Sequence, residues 1–87
     1  MSNKRVHFLL QACDQWKSLD SMRVIGVFTL PELRKTVKRK IKDGTFKFED
    51  GNGNKEEATR IDSMGAKLID TLVDYCHITP LTINEEL

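Results

Sequence analysis

Apolar residues recur with a period of two through residues 5–13, with Val6, Phe8, Leu10 and Ala12 on one side and His7, Leu9, Gln11 and Cys13 on the other. That period predicts a β-strand, and apolar residues on both faces make it an inner one. Polar turn formers at 14–21 break the pattern. Residues 22–29 resume it, with Met22, Val24, Gly26 and Phe28 opposed to Arg23, Ile25, Val27 and Thr29. Consecutive strands usually pair, so the two runs predict an antiparallel hairpin with a long loop. Gly26, inside the second strand, predicts a bulge or a close approach by a helix.

The pattern changes to a helical one over residues 29–44. Leu30, Leu33, Val37 and Ile41 form a narrow apolar stripe, and Arg34, Lys35, Lys38, Arg39 and Lys42 form a broad basic band beside it. Both ends carry stop signals. Thr29 and Glu32 have capping-box spacing, Pro31 lies in the first turn where its missing N–H costs nothing, and Gly44 follows the last turn.

Residues 45–48 read as a short strand with Phe46 and Phe48 inward, and the Gly/Asn-rich residues 49–54 as a tight reversal. Those glycines and acids lack the ligand ladder of a calcium loop. Ala58, Ile61, Met64, Gly65 and Leu68 then predict a second, weaker helix over 55–69, and residues 72–83 a final long strand. Pro80 cannot donate a ladder hydrogen bond, so that strand must bulge there or lie at an edge. The expected fold class is α+β: residues 1–87 as a single small domain, with a mostly antiparallel four-stranded sheet in the order ββαβαβ and two helices packed on one face. The ends, 1–4 and 84–87, are expected to fray.

Composition narrows the partners. Lys and Arg number 14 against 13 Asp and Glu, so attraction for polyanions has to come from uneven distribution. Six cations lie within 34–42, while Glu49, Asp50, Glu56, Glu57, Asp62, Asp70 and Asp74 crowd the next third. A chain of 87 residues buries a thin core, which leaves a homodimer open. No stretch approaches a signal peptide or the roughly 20 apolar residues of a membrane span, so a cytoplasmic location without membrane contact is expected. The cysteines, Cys13 and Cys76, are then expected as free thiols.

Candidate chemistry is sparse. Cys76 and His77 are adjacent, and neighbours on a strand point to opposite faces, whereas a nucleophile and its base must share one. No metal-ligand spacing, phosphate cradle or paired-carboxylate motif accompanies them, so neither cofactor nor catalytic residue is assigned. Trp16 is the most informative single residue. With Lys17 it is either a contact patch on a loop or a cap folded over the core. The basic band could lie along phosphates, although it lacks interleaved aromatics and any nucleic-acid-binding motif.

The run Cys13-Asp14-Gln15-Trp16-Lys17-Ser18-Leu19-Asp20-Ser21-Met22-Arg23-Val24-Ile25-Gly26-Val27-Phe28-Thr29, with Tyr75-Cys76-His77-Ile78, resembles small uncharacterised α+β proteins of gut-type bacteria, their phages and other mobile elements. The resemblance implies such an origin and carries no activity, substrate or site residue. The expectation is a small non-enzymatic interaction or accessory protein. It would contact a protein partner through Trp16, Lys17, Arg34, Lys35, Lys38, Arg39 and Lys42. The alternative is a nucleic-acid-binding domain using the basic helix 34–42.

Overall fold

The computed structural model describes residues 2–14, 16–51 and 55–86, with side chains described from 6 to 82 apart from 15 and 52–56. In chain order it contains β1 (Ser2–Ala12), a 3-10 turn (Leu19–Ser21), β2 (Arg23–Phe28), α1 (Leu30–Lys42) and β3 (Lys47–Phe48). A 3-10 helix (Lys55–Ser63), α2 (Ala66–Leu72), β4 (Val73–Asp74) and β5 (Cys76–Glu86) follow. This is an α+β fold with antiparallel sheets.

The expected single four-stranded sheet and its ββαβαβ order are corrected to two sheets: β2-β1-β5, and a two-stranded pair of β3 with β4. The reason lies at residues 72–76. The predicted last strand is helix as far as Leu72, and two strand residues follow. Tyr75 then adopts φ +71, which ends one ladder and lets Cys76 begin another. Of the ends expected to fray, 1 and 87 lie outside the described residues, and β1 pairs with β5 from Ala12↔Cys76 to Ser2↔Glu86.

β1 is the inner strand, as its two apolar faces require. The register gives β2 one extra residue between Gly26, opposite Leu10, and Val24, opposite Gln11. A bulge therefore sits beside Gly26. The close neighbour of Gly26 is not the helix, since an added Cβ would lie 2.9 Å from the Phe28 ring. Among the described residues β5 pairs only with β1, so Pro80 lies on an edge strand.

α1 ends as its sequence dictates. The Glu32 carboxylate accepts from the Thr29 N–H at 3.2 Å and from the Thr29 hydroxyl at 2.7 Å. At the other end Gly44 takes φ +89. Its N–H donates to Ile41 O at 3.2 Å and that of Thr45 to Lys40 O at 2.9 Å, the bond pair of a Schellman motif.

Leu10, Cys76 and Ile78 are buried on one face of the larger sheet, with Leu10 opposite Ile78 and Ala12 opposite Cys76. Leu33, Val37 and Ile41 of α1 share their core, as do Phe46, Phe48, Ile69 and Val73. The predicted helix over 55–69 is corrected to a 3-10 helix followed by the short α2. Ala58, Ile61 and Met64, three residues apart, are all buried. That spacing is a single stripe at three residues per turn, so it suits the tighter helix. Arg60 ties this segment to β3, stacking 4.3 Å above the Phe48 ring and donating to Asp50 at 3.1 Å and 3.3 Å. Of the predicted reversal at 49–54, Gly51 N–H closes a turn on Phe48 O, while 52–54 lie outside the described residues.

Candidate interaction surfaces

The loop between β1 and β2 is built around one carboxylate. Asp14 Oδ1 accepts from the N–H of Trp16 at 3.1 Å and of Ser18 at 3.0 Å, and its Oδ2 accepts from the Ser18 hydroxyl at 2.7 Å. The Asp14 N–H donates to Ser21 Oγ at 3.0 Å, and that hydroxyl donates to Ser18 O at 2.8 Å. These bonds close the loop on itself. Lys17 is held in the left-handed region at φ +54, a conformation that costs a non-glycine residue of the order of 1 kcal/mol. Its ammonium donates to the Asp70 backbone carbonyl and lies 3.4 Å from the Asp70 carboxylate.

The outcome is a braced loop with its apolar side chains facing out. Trp16 is 78% exposed and Leu19 84% exposed, so Trp16 is not the core cap that was the other reading. Lys17, predicted as part of a contact patch, anchors the loop to α2 through Asp70.

The backbone N–H of Ser18, then its hydroxyl, hold the Asp14 carboxyl below its ordinary value of 3.8. A carboxylate whose folded value is depressed contributes order above that ordinary value and loses it as pH falls through the lower folded value. The Ser18 amide resonance should therefore move with acid at a midpoint below pH 3.8. A midpoint at or above that value in an NMR titration would remove Asp14 from the loop's bracing.

The basic band divides in two. The Arg34 Nε donates to Met64 O at 2.8 Å, and Lys38 Nζ donates to both Asp62 oxygens, at 2.9 Å and 3.0 Å. Lys38 thus faces the 3-10 helix and Arg34 the residue that follows it. The Lys38–Asp62 pair is well exposed and contributes little to stability. Its main effect is to neutralise one cation. Lys35, Arg39 and Lys42 are exposed, and none forms an ion pair among the described residues. They line an open groove of about 800 Å³ along α1, with Phe28 and Pro31 at the N-terminal end and Asp62 on the far wall.

Cys76 and His77 diverge as their adjacency requires. Cys76 is fully buried, with its Sγ 3.6 Å from Val73 O, and burial pushes its thiol up to about 12. Cys13 is also buried and unpaired, and burial raises its thiol too. His77 Nδ1 lies 3.3 Å from the Asp70 carboxylate without hydrogen-bond geometry. No group of three potential metal ligands occurs among the described residues. No helix among them is long and apolar enough to cross a membrane.

Sequence reasoning missed Leu19, Asp70 and the groove role of Phe28 and Pro31. Asp14, two residues before Trp16, was a legible signal for a side-chain-capped turn. Asp70 carried none, because its partners Lys17 and Ile78 are brought to it by tertiary packing. No family model, curated protein or solved structure matches the chain.

Proposed function

We propose that this is a small non-enzymatic interaction protein, an accessory factor that docks on a protein partner through the 14–21 loop with Trp16 as the anchor. The observation that carries this reading is a tryptophan 78% exposed on a loop braced by its own hydrogen bonds. Ordering such a loop in advance lowers the entropy lost on association, and tryptophan is the side chain most enriched among binding hot spots. Leu19 adds a second exposed apolar group on the same loop. The Cys76 thiol, which burial pushes up to about 12, carries almost no thiolate at neutral pH and is not a candidate nucleophile. Unpaired buried thiols also suit the reducing cytoplasm.

Trp16→Ala and Trp16→Phe test the reading. Trp16→Ala should leave stability within about 0.5 kcal/mol of wild type, since an exposed side chain carries little folding energy. It should weaken capture of the partner by about 2 kcal/mol, roughly thirtyfold, with Trp16→Phe in between. Equal capture by wild type and Trp16→Ala would retire the loop as the docking element.

A further inference from the structure

We infer that the groove along α1 is a binding site for single-stranded nucleic acid, separate from the 14–21 loop. Five cations line it against two carboxylates, Glu32 and Asp62. Both carboxylates are already engaged, Glu32 by the Thr29 cap and Asp62 by Lys38. The charge left over belongs to Lys35, Arg39 and Lys42, with Asp43 acting on Arg39 at the C-terminal end, together with an Arg34 held on a neutral carbonyl. The three exposed residues follow one another at i, i+4 and i+7, so they form a single stripe. At a rise of about 1.5 Å per residue they stand about 6 Å and about 4.5 Å apart along the axis. That is close to the backbone repeat of an extended strand, and such a stripe can track successive phosphates.

Phe28 decides between a single strand and a duplex. It is half-buried, packed against the core with its ring over Gly26, and it lines the N-terminal end of the same groove as the cations. Only an unpaired base can offer its face to that ring, and stacking of this kind is tolerant of sequence. A basic stripe beside an aromatic surface is the pairing of features that single-strand binders use. A purely acidic protein segment could satisfy the cations but brings no apolar face to the ring.

The test uses the full chain and a fluorescein-labelled oligothymidylate, followed by anisotropy. With three phosphates neutralised, affinity should fall about 20-fold between about 50 and about 200 mM salt. Lys35→Gln/Arg39→Gln/Lys42→Gln should weaken binding more than about tenfold at the lower salt and flatten the salt dependence. Arg23→Gln/Lys47→Gln/Lys67→Gln removes the same charge from exposed positions outside the groove and should bind as wild type does. Trp16→Ala should also bind normally, so failure here and failure of loop docking are separate results. The inference is overturned if wild type does not bind, or if the two triple variants lose affinity equally. It is also overturned if a duplex of equal length binds as tightly, or if polyglutamate competes as well as unlabelled strand.

Discussion

Phe46→Ala is expected to lower the unfolding free energy by about 3–5 kcal/mol. Phe46 is fully buried and is the largest side chain in that condition, in the short connection between α1 and β3. Its position follows from the end of the helix. The Schellman bonds turn the chain after Gly44, and the Phe46 N–H donates to Lys40 O at 3.1 Å, directing the ring beneath α1. Removing it leaves a cavity in the core that also holds Leu33, Val37, Ile41, Phe48 and Val73, between elements too constrained by pairing to collapse fully. A chain of this size has a total stability of the order of 5 kcal/mol, so the variant should lack a folded baseline or unfold in very little urea. Phe46→Leu, nearer in volume, should lose about 1 kcal/mol. A urea midpoint for Phe46→Ala close to wild type would show that the ring is not packed as described.

Asp70→Ala is expected to cost about 2 kcal/mol, and Asp70→Asn much less. Asp70 Oδ1 accepts the N–H of Ile78 at 2.9 Å, a donor on the edge of β5 that has no partner strand on that side. Truncation leaves this partly buried N–H unsatisfied, whereas Asn keeps an acceptor in place. Both substitutions remove the carboxylate from Lys17, and both leave the Asp70 backbone carbonyl that also holds it. The two variants thus separate folding from loop order. Thermal unfolding should distinguish Ala from Asn, while Trp16 anisotropy should fall slightly and equally in both. A full loss of stability in Asp70→Asn would mean that charge, and not the Ile78 hydrogen bond, is what Asp70 contributes.

Local patterns proved readable where the chain's own neighbours set the outcome. α1 begins and ends at Thr29 and Gly44 because caps and a left-handed stop act within a few residues. The hairpin of β1 and β2, the irregularity beside Gly26 and the edge position of Pro80 were legible for the same reason. Residues 55–69 were not. Ala58, Ile61 and Met64 satisfy a helical period loosely and a three-residue period fully, and only the surface they pack against selects between them. Nor could the sequence divide the basic band, because Asp62 and the Met64 carbonyl arrive from more than 20 residues away.

The sequence by itself determined the caps, the strand alternation and the apolar stripe of α1, since each depends on contacts between near neighbours. Tertiary structure alone decided that residues 72–76 break into two ladders, that β1 pairs with β5 as well as with β2, and that Trp16 faces solvent. It also decided how the basic band divides: Lys38 pairs with Asp62 and Arg34 donates to the Met64 carbonyl, while Lys35, Arg39 and Lys42 form no ion pair among the described residues. The physical reason is that a side chain's residue type sets what it can bond to, but the approach of distant segments sets what is there to bond.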